Sequence, residues 1–395
     1  MIRTFSVSRL PQVVFGDKAL AEVPDLAATL GNRLLVVTGQ RSFVESVRWP
    51  ALKQGLEEKG LSWEHVQVSG EPSPEVVDGI VDRFGQADID AVLGIGGGSV
   101  LDVAKAAAGL LETGNSVVDH LEGVGPELPY RGPAIPWIAV PTTAGTGSEA
   151  TRNAVLSVRG PDGFKKSFRD ERLVAAWAVI DPSLLESCPR PLIAADGMDA
   201  LTQLIESYVS PRASPFSDSL ALEGVKAVRD SLLTWHAGVG ELPACRHQMA
   251  LAAWLSGITL AQAGLGAVHG LASPLGAYYS VPHGVVCGTL LATATRMNIQ
   301  ALRQREPEHS ALARYALLGD ALSGTSHSAT SVSCQALIDQ LSEWSRLLDL
   351  PRLREYGVRA DDFEKIVRNS RGGSMKTNPL ALQDEELIEI LGERL

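Results

Sequence analysis

The chain has 395 residues, 45% of them apolar and 21% charged, with 35 Lys plus Arg against 46 Asp plus Glu and a formal net charge of −11. Such a length exceeds the size at which one core stops growing, so two domains are expected, and the composition excludes a disordered or fibrous chain. The acidic balance argues against nucleic acid and anionic membranes as partners: the densest basic run, Lys165, Lys166, Arg169 and Arg172, is broken by Asp170 and Glu171 and reads as a solvated helix face or loop.

In chain order, 12–15 reads as a short strand ended by Gly16-Asp17, and 17–29 has helical spacing. Leu34 to Thr38 is a continuous apolar strand, 50–59 is helical, and Trp63 to Val68 alternates like a strand. Ser73 is placed to cap a helix over 74–86 with Pro74 in its first turn. Asp90 to Ile95 is a buried strand, followed by Gly96-Gly97-Gly98-Ser99 and a helix over 100–112. Ile135 to Val140 is a further strand. This alternation predicts a mostly parallel sheet with helices on both faces. After Asp181-Pro182 the periodicity becomes helical, over 191–209, 215–235, 247–265, 283–300, 309–321, 327–346 and 381–392. The reading is therefore an α/β nucleotide-binding domain over 1–183 and an all-helical domain over 184–395.

Four cysteines, Cys188, Cys245, Cys287 and Cys334, lie far apart with no Cys-x-x-Cys pair. That argues against a disulfide scaffold, a thiolate zinc site or an iron–sulfur cluster, and for a reducing compartment. Met1-Ile2-Arg3-Thr4-Phe5 lacks the apolar run of a signal peptide. No apolar stretch approaches the ~20 residues of a membrane span. A cytoplasmic protein is expected.

Gly96 to Ser99 sits where a buried strand passes into a helix. Glycines there admit a bulky anion, and the free N–H groups of the first helical turn face it. Asp102 and Lys105 follow at three and six residues and are expected at the mouth of the same crevice. Pro141-Thr142-Thr143 through Ser148-Glu149 sets hydroxyls beside glycines at another strand end, suited to a ribose, nicotinamide amide or phosphate. At the end of the first long strand, Gly39-Gln40-Arg41-Ser42 offers no acid to bind ribose hydroxyls, while Arg41 and Ser42 suit a 2′-phosphate. NADPH is expected to be accepted.

Asp199 and Gln203, four apart in a helical stretch, share one face. His269 lies near the end of another helical segment, and His283 follows Pro282. One carboxylate, two imidazoles and a weak amide oxygen suit a divalent ion. Glu206 reads as a helix or interface polar group, or as support for a ligand. His65, His120, His236, His247, His309 and His327 read as ordinary core or surface residues.

These motifs together resemble the iron-containing (group III) alcohol dehydrogenase family. Further matches are Phe15-Gly16, Asp181-Pro182, Gly197 to Thr202, His269-Gly270 through Gly276, Pro282-His283-Gly284 and Asn378-Pro379, so the resemblance covers nearly the whole chain. It implies a Rossmann-like N-terminal domain and a helical C-terminal domain, the dehydroquinate synthase-like fold, with the active site between them. It implies NAD or NADP, a divalent metal (iron or zinc, with manganese or magnesium as alternatives) and a homodimer acting on small primary alcohols or aldehydes. By position, Asp199, Gln203, His269 and His283 fall on the family's metal ligands. Gly97, Gly98 and Ser99 fall on its diphosphate loop. Thr142, Thr143 and Asp102 fall on cofactor-side positions.

Two departures stand out. A ligand histidine of the family is Gln203 here, and a histidine lining its substrate cleft is Ser273. Gln203 predicts looser metal binding with a shift toward magnesium or manganese. Ser273, water or the cofactor ribose would have to carry the lost proton relay. Tyr278, Tyr279 and Phe164 are candidates for the pocket wall, and Lys165 or Lys166 for contact with an anionic substrate or the cofactor. Gln203 also points to a metal-independent reductase of the maleylacetate reductase type, although Asp199, His269 and His283 point away from it. Lyase chemistry like that of dehydroquinate synthases and a non-catalytic scaffold are the remaining alternatives.

Overall fold

A computed structural model describes residues 4–395; Met1 to Arg3, which open the segment read as lacking a leader, lie outside the described residues. The first half carries strands β1 (Gln12–Phe15), β2 (Arg33–Gly39), β3 (Ser62–Val68), β4 (Ala91–Gly96), β5 (Trp137–Pro141), β6 (Asn153–Val158), β7 (Phe164–Arg169) and β8 (Trp177–Ile180). Helices α1 (Val23–Ala28), α2 (Arg48–Glu58), α3 (Pro74–Phe84) and α4 (Gly98–Leu110) alternate with the early strands. Six strands form one sheet in the order β1-β8-β5-β4-β2-β3, and every pairing is parallel.

The apolar run of β2 explains why the sheet is covered twice. Leu35 and Val37 join one buried cluster with α3 and α4 residues such as Val77 and Leu101. Leu34 and Val36 point the other way and join Val23, Leu52 and Leu56 of α1 and α2. Ser73 caps α3 as its sequence suggests, accepting the Val76 N–H, with Pro74 in the first turn.

The chain leaves β2 toward β3 on one side and returns to β4 on the other. The loops after β2 and β4 therefore diverge, and a crevice opens beyond Gly39 and Gly96 at the carboxyl ends of the strands.

Every described element after Ile180 is helical: α5 (Arg190–Val209), α6 (Pro215–Ala237), α7 (Leu242–Ala263), α8 (Ala267–Tyr278), α9 (His283–Arg305), α10 (Ala311–Ser323), α11 (Thr330–Leu347), α12 (Phe363–Asn369) and α13 (Asp384–Glu393), with short 3-10 turns between some of them. Helix α5 is the axis, packed against α6, α7 and α9. Its Met198, Leu201 and Leu204 are fully buried. Among the described residues no single helix is long and apolar enough to cross a membrane.

Three elements differ from the sequence reading. Lys165, Lys166 and Arg169 belong to strand β7, not to a helix face or loop, and β7 pairs antiparallel with β6. This hairpin packs between α4 and α8. Strand β8 fills the gap between β1 and β5. His269 opens the separate helix α8 rather than closing an earlier one: Gly264 and Gly266 break the chain after α7, and Gly264 has φ +76°.

The two halves meet where glycines remove side chains. A Cβ on Gly147 would lie 2.5 Å from the Gly257 backbone in α7, and one on Gly145 would lie 2.7 Å from Asp196 Cβ in α5. Gly147 also has φ +60°. The loop after β5 is thereby pressed onto the helical half.

Candidate metal centre and cofactor crevice

Helix α5 presents Asp199, which is 1% exposed. The third residue of α8 is His269, and the first residue of α9 is His283, with Cys287 one turn further on the same face. One ligand atom from each of Asp199, His269, His283 and Cys287 lies within 4.8 Å of every other. Asp199 Oδ1 is 3.4 Å from His269 Nε2 and 3.8 Å from His283 Nε2.

Charge and hydrogen bonding suit this cluster to a cation. Asp199 Oδ1 is buried and has no hydrogen-bond partner in the protein. An orphaned carboxylate oxygen facing two imidazoles is costly unless a cation completes it. Burial pushes the Asp199 carboxyl up, but His283 and His269 outweigh it and hold the group well below the usual carboxylate range. Burial and the Lys165 charge push His283 down to about 3, so its neutral ring keeps one nitrogen lone pair free. His269 is pushed well above its ordinary value; burial opposes this, and Cys287, Asp199 and Glu206 overcome it. Glu206 accepts the Nδ1–H of His269 at 2.7 Å and the Val268 N–H at 2.7 Å. A carboxylate only accepts, so the proton sits on Nδ1 and Nε2 faces the centre. The donor set fits a divalent ion.

Gln203 is buried on the same helix, and its Oε1 accepts from Ser256 Oγ at 2.8 Å. The sequence reading passed over Cys287 because it looked for paired cysteines. The signal available was its place four residues after His283, which a helix turns into a shared face.

Ser273 does not stand free as a relay, since its hydroxyl donates to the Lys165 carbonyl oxygen at 3.0 Å. Lys165 Nζ lies 3.5 Å from Glu71 Oε2 and is largely buried. Tyr278 lies under Lys365, whose Nζ is 4.2 Å from the ring, and Tyr279 packs against the helical core. Phe164 packs on the sheet-side core.

The cofactor loops converge beyond β4 and β5. Gly97 and Gly98 start α4, and a Cβ on either would meet Thr143 at 3.2 Å or Thr146 at 2.6 Å. The Thr142 N–H donates to the Gly96 carbonyl at 3.0 Å. A Cβ on Gly145 of the same loop would lie 2.7 Å from Asp196 Cβ, one turn before Asp199 on α5, so the crevice and the candidate metal centre are joined through this contact. Burial, with Asp199 beside it, pushes Asp196 up to about 7. Gln40, Arg41 and Ser42 line an open depression of about 490 Å³ with Glu45 and Ser69.

Asp102 and Lys105 turn inward instead of toward the crevice mouth. Asp102 Oδ1 accepts from Ser148 Oγ at 2.6 Å, and Oδ2 accepts the Val155 N–H at 3.1 Å. Lys105 is fully buried and donates to the carbonyl oxygens of Ser148 and Asn153 and to Thr151 Oγ1. Burial pushes Asp102 up and Lys105 down, although each charge counters the shift of the other. Together they clamp the 148–155 segment onto α4.

A parallel nucleotide-binding sheet joined to a helical bundle, with a buried carboxylate–imidazole centre between them, defines a metal-assisted dehydrogenase. Residues 11–182 match the family described as iron-containing alcohol dehydrogenase, and residues 193–395 match the C-terminal part of the Fe-containing alcohol dehydrogenase family. The chain is 31% identical over 385 residues to alcohol dehydrogenase 4 of Saccharomyces cerevisiae, covering 96% of each protein. It is 30% identical over 392 residues to the NAD-dependent methanol dehydrogenase of Bacillus methanolicus, covering 98% of each. It also superposes on the crystal structure of an iron-containing alcohol dehydrogenase from Thermotoga maritima with a TM-score of 0.83 at 29% identity, covering 99% of each chain. The chain belongs to the iron-containing alcohol dehydrogenase family and is an oxidoreductase that interconverts alcohols and aldehydes.

Proposed function

We propose that this enzyme transfers hydride between NAD(P) and small primary alcohols or aldehydes at a divalent ion held by Asp199, His269 and His283. The observation that carries the reading is the convergence of those side chains on one buried point beside the loop after β5, which Gly145 presses onto Asp196 of α5. When bound, the ion polarises the substrate oxygen and the nicotinamide gives or takes the hydride.

The protein's part is positioning. Asp199 supplies the anionic oxygen, and Glu206 fixes the ring of His269 so that Nε2 faces inward. Gly97, Gly98 and Ser99 offer first-turn N–H groups to the diphosphate. Thr142 and Thr143 flank the nicotinamide end, and Gly39 to Ser42 border the adenosine end. Arg41 and Ser42 favour acceptance of a 2′-phosphate. Asp102 serves by anchoring the loop rather than by touching cofactor.

Relatives named methanol dehydrogenase and 1,3-propanediol dehydrogenase support short primary alcohols as the substrate class. We assign cofactor binding to residues 1–183 and metal binding to 184–395. The functional unit is taken as a homodimer in the cytoplasm, in keeping with four unpaired cysteines. A screen of small aldehydes and alcohols by NAD(P)H absorbance tests this: turnover is expected with at least one short primary pair. Absence of any cofactor-dependent turnover in metal-loaded protein would reject it.

A further inference from the structure

Cys287 is fully buried where the helical core meets the candidate metal centre, and its Sγ faces two imidazoles. It lies 3.6 Å from His269 Nε2 and 3.7 Å from His283 Nε2. A tetrahedral ion sits about 2.3 Å from sulfur and about 2.0–2.1 Å from imidazole nitrogen and carboxylate oxygen. From those bond lengths, sulfur and nitrogen would lie about 3.6 Å apart, and nitrogen and oxygen about 3.4 Å. The observed sulfur–nitrogen separations match that edge, as does the 3.4 Å from Asp199 Oδ1 to His269 Nε2, while Asp199 Oδ1 to His283 Nε2 is longer, at 3.8 Å.

We propose that Cys287, as a thiolate, is a direct ligand of the divalent ion held by Asp199, His269 and His283, taking over the ligand role left by the change to Gln203. This rests on the metal-dependent reading above. Binding exchanges the S–H bond for a sulfur–metal bond and releases one proton to solvent, with no change of oxidation state. The amide oxygen of Gln203 is meanwhile held by Ser256. One oxygen, two nitrogens and one sulfur select zinc, iron(II) or cobalt(II) over magnesium and manganese. That is the reverse of the preference expected from Gln203 alone.

The full-length protein is stripped of metal and reconstituted with cobalt(II), because a cobalt–thiolate bond gives a near-ultraviolet charge-transfer band that nitrogen and oxygen ligands do not. The wild type is expected to show this band. Cys287→Ser should lose it and bind cobalt on the order of 10–100-fold more weakly, at least the effect of losing an outer partner. Cys245→Ser and Cys334→Ser should keep it. Cobalt bound to the wild type without the band, or a band that survives Cys287→Ser, overturns the assignment and leaves the hydride-transfer reading standing. Failure of the wild type to bind cobalt at all overturns both. The wild-type spectrum decides the matter even where the serine variant folds poorly.

Discussion

Glu206 Oε2 accepts the Nδ1–H of His269 across 2.7 Å, while Oε1 of the same carboxylate accepts the N–H of Val268. One side chain on α5 thus holds the first turn of α8 and orients the ring that α8 contributes. Both acceptors are buried, so neither bond is exchanged freely with water. Glu206→Gln keeps the size and one acceptor but offers an amide N–H to Nδ1, which turns the ring's proton toward the metal centre. Metal affinity should fall on the order of 10–100-fold. Competition with a coloured chelator measures this, and unchanged affinity would remove Glu206 from the site.

On the proposed assignment, His283 serves metal binding and not cofactor binding. It opens α9 on the helical side, whereas Gly97, Gly98 and Ser99 open α4 on the sheet side. His283→Ala is expected to abolish turnover while leaving NAD(P)H binding, followed by nucleotide fluorescence, within about a factor of two, the scatter of a site that keeps its contacts. Full activity in this variant would break the assignment.

Lys105 holds a loop with a buried charge. Its ammonium lies 3.5 Å from Asp102 and is fully enclosed. Removing one member of a buried ion pair leaves the other uncompensated and costs about 3–5 kcal/mol. Lys105→Ala should therefore lower the urea midpoint markedly. A loss below about 1 kcal/mol, the size of an exposed pair, would show that water reaches the clamp.

Much of this architecture is legible in the amino-acid order. The apolar runs at 34–38 and 90–95, the glycines after them and the long helical periods are local signals, and each appears where its pattern places it. The hairpin of β6 and β7 is harder to see. Strand β7 reads Phe-Lys-Lys-Ser-Phe-Arg, and its charges suggest a solvated surface until α8 and α4 close over it. Asp102 and Lys105 mislead for a related reason. Polar residues near a glycine loop look ready for a ligand, and only the fold shows that Ser148, Thr151 and Val155 already satisfy them. Cys287 is a contact between α9, α8 and α5, and along the chain only its place four residues after His283 announces it.

Glu149 gives the fold a pH signature. Burial pushes its carboxyl up to about 7 from an ordinary 4.5, with Lys105 opposing and Asp102 adding to the shift. A folded-state value above the unfolded one means that the folded chain binds this proton more tightly. The resulting stability is complete below pH 4.5 and lost as pH rises through about 7. Glu149→Gln removes that dependence and should gain on the wild type by up to about 3 kcal/mol between pH 5 and pH 8. Urea titrations at the two pH values check it; a difference independent of pH would contradict it.

Arg41 and Ser42 border the depression beyond β2, with Glu45 in the same wall. Arg41→Ala should weaken NADPH about tenfold or more, the scale of a lost charge-assisted hydrogen bond, and leave NADH nearly unchanged. Titration of both cofactors reads the difference. Tenfold tighter NADH binding by the wild type would show that Glu45, not Arg41, governs this end.

The most direct measurement is metal content followed alongside turnover. Purified protein should carry about one divalent ion per chain at a site of this kind. Exhaustive chelation should remove aldehyde reduction, and restoring zinc, iron(II) or cobalt(II) should return it. Undiminished NAD(P)H-dependent reduction by metal-free protein would contradict the account and point to hydride transfer without a metal.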